Sequence, residues 1–203
     1  MVDAFKQRFG KANPQEATDI RFTGASYERQ WQRTLGKLGS GWFLDGYLFL
    51  FGAGLQRLNA CASAWSFLVP AGKERIVVGR NAYGALLIVE EPEDARTVYL
   101  LDPLRVVYWT CPGLDLLALI GRYLPRGDLP HFLEDEIYRH WQQTHGFVSE
   151  ATMLAPITPL SLGGQMVLQN FQEEDMVSYY ESTAPIYAKA FEKMKQTRRG
   201  RHE

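Results

Sequence analysis

The sequence predicts an α+β fold: a central antiparallel β-sheet, built as a meander over about residues 75–109, flanked by helices and made of two intimately packed halves. Three observations carry this. Ile76–Val78, Leu86–Val89, Val98–Leu101 and Val106–Trp109 are short runs of β-branched, aromatic and leucine residues, the types that suit a pleated, packed surface. The connections between them are too short for a parallel return, which needs a long crossover. The runs are nearly continuous rather than alternating, so other elements should cover much of both faces.

Each connection has its own turn chemistry. Asp102-Pro103-Leu104-Arg105 places Asp at the first and Pro at the second position of a tight turn. Asn81-Ala82-Tyr83-Gly84 is looser, with Gly84 free to take a positive φ or a bulge. Glu90-Glu91-Pro92-Glu93-Asp94 is too polar to bury and should cap a hairpin.

Before the meander, residues 3–9 form a short helix with Phe5 and Phe9 on one face, broken at Asn13-Pro14. Ser26 is a good N-cap for a second helix, whose stripe is Tyr27, Trp31, Leu35 and Leu38. Gly36, Gly39 and Gly41 end it. Tyr47–Phe51 is a strand added to the main sheet, and Leu55 to about Trp65 is a helix with Leu55, Leu58, Ala62 and Trp65 inward.

After the meander, Leu114–Leu124 reads as a helix stopped by Pro125. Residues 131–144 form another, with Leu133, Ile137 and Trp141 inward and an acidic first turn, Glu134-Asp135-Glu136. An irregular span with Pro156, Pro159, Gly163 and Gly164 follows. Glu173–Met194 is helical, interrupted at Pro185, and 196–203 should be disordered. The chain divides into residues 1–70, residues 71–185 and a basic tail, 186–203.

The chain has 203 residues, 46% hydrophobic, and a net charge of −1. Residues 1–188 hold 16 Lys and Arg against 21 Asp and Glu, a net of −5, while Lys189–Glu203 holds 6 against 2, a net of +4. An acidic body argues against direct nucleic-acid binding and is compatible with a basic protein partner. Solubility alone also accounts for it. The N-terminus has no apolar signal core, and no apolar run approaches the ~18 residues of a membrane span. Cys61 and Cys111 read as reduced, buried and cytosolic.

No catalytic set has good spacing. His140 and His145 are off a common helical face, HExxH, CxxC and GxSxG are missing, and Phe51-Gly52-Ala53-Gly54 lacks the full dinucleotide fingerprint. Neither a metal nor a cofactor is expected. The four carboxylates Glu90, Glu91, Glu93 and Asp94 form either a solvated turn that blunts a sheet edge or an acidic prong that meets a basic surface. Tyr83 is a loop tyrosine set apart from the core spacings of the other aromatic residues.

Two segments are similar to a known family. Tyr27–Gly54 (YERQWQRTLGKLGSGWFLDGYLFLFGAG) resembles the N-terminal GAD-like domain of bacterial toxin-immunity proteins. Ala82-Tyr83-Gly84 entering a strand, then Leu160-Ser161-Leu162-Gly163-Gly164 and Leu168-Gln169-Asn170-Phe171, resembles the C-terminal domain of the same proteins, with Phe171 where the family usually has leucine. Order and spacing agree over about residues 5–182. The resemblance implies a cytoplasmic antidote, not an enzyme, that binds and neutralises a cognate nuclease toxin of type VI secretion. From charge and expected exposure, the contact surface would be Glu90, Glu91, Glu93 and Asp94 with Tyr83 and Trp42 as aromatic anchors, or alternatively Glu173, Glu174 and Asp175. The open alternatives are an adaptor that takes a peptide at a sheet edge or an aromatic groove, and a small hydrolase or ligand-binding protein with a site at the sheet end.

Overall fold

Six strands form one antiparallel sheet in which neighbours in space are neighbours in sequence: β1 (Gly41–Phe43), β2 (Leu48–Leu50), β3 (Arg75–Asn81), β4 (Leu86–Glu90), β5 (Thr97–Asp102) and β6 (Val107–Cys111). A separate hairpin, β7 (Thr152–Pro156) with β8 (Phe171–Asp175), forms a second sheet. The fold is α+β. This computed structural model describes residues 2–13, 17–18, 20–22, 25–70, 74–90, 97–111 and 115–199, of which 25–27, 111, 130 and 194–199 are described by backbone alone.

The main sheet crosses residue 70 without interruption, since Leu48 sits opposite Asn81 and Leu50 opposite Gly79. The first 70 residues and the meander therefore share one sheet. At its centre β4 is buried along its whole length, which is why its sequence does not alternate. Its partners are set by register: Leu87 faces Leu100, and Ile88 faces Tyr99.

The turns follow their side chains. Asp102 Oδ1 accepts from the N–H of Leu104 (2.9 Å) and of Arg105 (3.2 Å), so the aspartate folds its own turn. Val106, expected to start a strand, has φ +54° instead, and β6 starts one residue later. In the β3–β4 connection, Asn81 Oδ1 accepts from the N–H of Tyr83 and of Ala85, both at 3.0 Å. Gly84 takes φ +78°, and a Cβ there would lie 2.6 Å from Met153 Sδ. Its missing side chain is what lets β7 approach.

Helices and aromatic rings pack against the sheet. α1 (Val2–Phe9) buries Val2, Phe5 and Phe9. α2 (Ala25–Leu38) buries Trp31, Leu35 and Leu38, but it begins before Ser26, which is therefore not its cap. Trp31 meets Phe22 and Phe51 edge-on at 5.2 and 5.1 Å. A 3₁₀ turn (Leu55–Leu58) leads into α3 (Asn59–Ala64), and Trp65 beyond it is fully buried.

α4 (Leu116–Ala118), a π-helical turn (Leu119–Tyr123) and α5 (Leu124–Arg126) follow one another without a break. Pro125 does not stop this run. The π turn shifts the bonding register, so the proline enters in the first turn of α5, where an N–H is not needed. Gly127, at φ +80°, ends it.

The helix expected over 131–144 is a 3₁₀ turn (Pro130–Phe132) followed by α6 (Glu136–His145), whose fully buried contact is Tyr138. The irregular span hides β7, and Phe171–Asp175 is a strand rather than the start of a helix. Three carboxylates in five residues are poor strand formers. Pairing with β7, from Pro156 opposite Phe171 to Thr152 opposite Asp175, overrides that propensity. α7 (Met176–Arg199) then runs through Pro185 uninterrupted and continues past residue 196, where disorder was expected. Tyr187 packs on Trp65 at 5.2 Å and Phe191 on Phe67 at 5.9 Å. That packing makes the segment set apart as a tail an extension of α7 as far as Arg199.

Candidate interaction surface

The aromatic residues expected as exposed anchors are both buried. Trp42 is 9% exposed, with Phe49 at 4.8 Å on one side and the Arg80 guanidinium at 5.0 Å on another. Tyr83 is 2% exposed: its ring meets Tyr47 and Phe171, each at 5.7 Å, and its hydroxyl accepts from the Tyr138 N–H at 3.0 Å. A tyrosine in a connection becomes core here because the hairpin and α6 close over it.

Glu90 is also not a surface prong. It is buried, 3.0 Å from Arg75 Nε and 2.8 Å from the Tyr108 hydroxyl. Burial alone would raise its pKa, but the bonds from Tyr108, Tyr99 and Arg75 outweigh it and hold the carboxyl below the ordinary range. Glu91, Glu93 and Asp94 lie outside the described residues. The second expected patch is split by strand geometry. Glu173 and Asp175 are exposed on one side of β8, while Glu174 is half-buried on the other. Glu173 accepts from the Thr152 hydroxyl, and Asp175 caps α7 through the Ser178 N–H at 2.8 Å, a bond that lowers its pKa.

Between the two sheets lies a buried cation. Arg80 on β3 is fully buried, and no carboxylate reaches ion-pair distance among the described residues. Its Nη1 donates to Thr152 O (2.8 Å) and its Nη2 to Ser149 O (2.5 Å), so carbonyl dipoles stand in for a counter-ion. Its Nε–H is left without a partner among the described residues. Burial, and secondarily Arg57, lowers its pKa to about 10, which still leaves it charged at neutral pH. Leu154 N–H to Ala82 O (2.8 Å) and Tyr180 hydroxyl to Gly84 O (2.9 Å) complete the seam. Trp42 and Tyr83 thus belong to the joint that fixes the hairpin on the main sheet.

What that joint holds out is the β7–β8 connection. Its backbone is pinned: Asn170 Oδ1 accepts from the Thr158 N–H (2.9 Å), and Asn170 Nδ2 donates to Thr158 O (2.9 Å) and Gln165 O (3.0 Å). A Cβ on Gly164 would collide with the Thr158 carbonyl. On this frame four apolar side chains stand in solvent: Leu162 (64% exposed), Ile157 (58%), Val167 (42%) and Met166 (37%). Met166 also lines a cleft of about 340 Å³ shared with Tyr83, Leu133, Ile137 and the carboxylates of Glu134, Asp135 and Glu136. Glu134 is paired with Arg105 and His131, and Asp135 with Arg139. Glu136 has no ion-pair partner among the described residues. The sequence signal for this ridge was a run of apolar residues without any period, inside a span rich in Gly and Pro.

A second unpaired surface is the edge strand β6. Among the described residues it has one strand neighbour, β5, and it carries exposed Val107 (38%) and Trp109 (46%) with no charged residue between Val107 and Cys111. Of the groups with reactive chemistry, Cys61 is buried and its thiol is pushed up to about 12 by burial, which keeps it protonated. Among the described residues, no group of His, Cys, Asp and Glu is placed to hold a metal ion, and no helix is long and apolar enough to cross a membrane.

No protein-family model matches the chain, and no curated protein matches it. Among solved structures it is similar to the crystal structure of Atu4351 from Agrobacterium tumefaciens, with a TM-score of 0.60 and 14% identity over 91% of this chain and 88% of that one. At that identity the likeness is one of fold: the two chains share an architecture over most of their lengths.

Proposed function

We propose that this protein is an immunity protein that binds a cognate secreted nuclease toxin of a type VI system and neutralises it by forming a stoichiometric complex. The observation that carries the reading is the β7–β8 connection. The segment Leu160–Asn170, which bears part of the resemblance to immunity proteins, is rigidly braced by Asn170 and Gly164 while its apolar side chains face water. A braced backbone that displays Leu162, Met166 and Val167 suits protein docking, where rigid apolar anchors avoid an ordering cost. The adjacent Glu136 suits a partner with a basic surface. This reading moves the contact from Trp42 and Tyr83 to the ridge.

The test is co-purification with the product of the adjacent gene, followed by DNA degradation with and without this protein. A tight complex that stops cleavage is expected. No complex, or a complex that leaves cleavage intact, overturns the reading. One observation favours a second reading, an adaptor that takes an extended peptide along its sheet edge: the uncharged edge β6 with Trp109 and Val107 outward. Loss of partner binding on Trp109→Ser, with the ridge variants still binding, would select it.

A further inference from the structure

Where α1 packs on the π turn and α5, a concavity of about 600 Å³ opens to solvent, lined by the exposed Arg8, Arg122 and Arg126 together with Ala4, Gln7, Gly121 and Pro125. Every ionisable side chain in that lining is an arginine. Elsewhere in the chain Arg75, Arg105 and Arg139 each meet a carboxylate, and the buried Arg80 meets carbonyl oxygens instead. Here no carboxylate lies within ion-pair distance of any of the three, among the described residues. Arg8 is held in place from behind: Nη1 donates to Pro125 O at 2.9 Å, and the guanidinium lies over Gly127, where a Cβ would stand 3.0 Å from Nη1. Arg122 lies over the Tyr123 ring at 5.6 Å, Arg126 makes no such contact, and neither guanidinium donates a hydrogen bond among the described residues, which keeps their N–H donors for a ligand.

We infer that the Arg8–Arg122–Arg126 pocket is a binding site for a small phosphate-type oxyanion, a phosphorylated ligand rather than a macromolecule. Guanidinium groups are planar, always charged and weakly hydrated, and they bind phosphate oxygens in bidentate pairs. Three of them around a void repel one another, and an oxyanion seated between them reverses the sign of that interaction. The volume is that of a small-molecule site, and the shape is concave, unlike the extended basic stripe that tracks a nucleic-acid backbone. The adjoining π turn is a backbone irregularity of a kind often found at functional sites. The site uses none of the residues of the ridge or of β6, so it stands or falls independently of the toxin-binding reading.

The test is calorimetric titration of the full chain with inorganic pyrophosphate at low salt. Three proteins are compared: the wild type, Arg122→Gln/Arg126→Gln, and Arg29→Gln/Arg33→Gln on exposed positions of α2, which changes the net charge equally. Arg8 is left in place because it also holds Pro125 O. The expected result is saturable binding by the wild type and the α2 variant, weakened by about tenfold or more in the pocket variant, with its thermal unfolding unchanged. Equal affinity in all three proteins, or no binding by the wild type at ~10 mM pyrophosphate, would overturn the site. So would a ~12-base-pair DNA duplex that binds through Arg122 and Arg126 more tightly than pyrophosphate, since the phosphate would then belong to a nucleic acid.

Discussion

The main sheet and the β7–β8 hairpin dispose of their apolar residues in opposite ways on equally fixed backbones. In the sheet, β4 is buried throughout, and the aromatic residues at its margins, Trp42, Tyr47 and Tyr83, turn inward. In the hairpin connection, Leu162, Ile157, Val167 and Met166 face solvent although Asn170 fixes the loop with three hydrogen bonds. An aromatic residue in a connection is thus no guide to a contact surface when a later segment folds over it. An apolar residue in a braced, exposed loop is a better one.

The comparison breaks if the two regions respond alike to substitution. The largest effect should come from Trp65, fully buried against Tyr180 and Tyr187, with its Nε1–H donating to Tyr180 O at 3.0 Å. Trp65→Ala should cost about 3–5 kcal/mol in denaturant unfolding, enough to leave the fold marginal. A loss under ~1 kcal/mol would mean that α7 does not close the core as described.

Glu90→Gln should cost about 1–3 kcal/mol at neutral pH through its bonds to Arg75 and Tyr108. Because the folded carboxyl titrates below the ordinary range, its contribution is complete above the unfolded pKa of about 4.3. It disappears as the pH falls through the lower folded value. Unfolding curves of wild type and variant should therefore converge toward acid, and a gap that persists at pH ~2 contradicts the assignment.

Gly164→Ala sharpens the contrast, since its new methyl meets the Thr158 carbonyl. The expected cost is about 1–3 kcal/mol, confined to the hairpin and visible as faster hydrogen exchange over residues 157–170. The smallest stability effect belongs to Leu162→Ser with Val167→Ser, within about 0.5 kcal/mol, because both are already in water. On the proposed function, the same pair should weaken binding of the cognate toxin by about tenfold or more. Unaltered affinity removes the ridge from the interface.

How much the residues disclosed depended on how local the cause was. Strands β3 to β6 were legible because β-branched and aromatic runs alternate with turn residues, and Asp102 and Asn81 fold their own turns. Pro125 misled because the π turn places it where a helix accepts proline. Strand β8 was illegible, since Phe171–Asp175 takes its state from pairing with β7, whose Leu154 lies 19 residues upstream of its partner Glu173, not from its own acidic composition. Of the candidate surface, the motif Leu160–Asn170 was found but its apolar members were not singled out. The expected anchors failed because the burial of Tyr83 is decided by Tyr138 and Phe171, both far along the chain.

Arg80 has a consequence for how the chain is made. Its two terminal nitrogens donate to the carbonyls of Thr152 and Ser149, which lie 72 and 69 residues downstream. On a ribosome all six strands of the main sheet emerge before those carbonyls do, and strand pairing between neighbours needs nothing later. Until the hairpin arrives, closing the sheet over Arg80 would strand an unsolvated charge. The nascent sheet should therefore stay wet along β3, and commit only when synthesis has passed β7. Arrested chains ending near residue 146 should be protease-sensitive at β3, and chains ending past residue 175, clear of the exit tunnel, should be resistant.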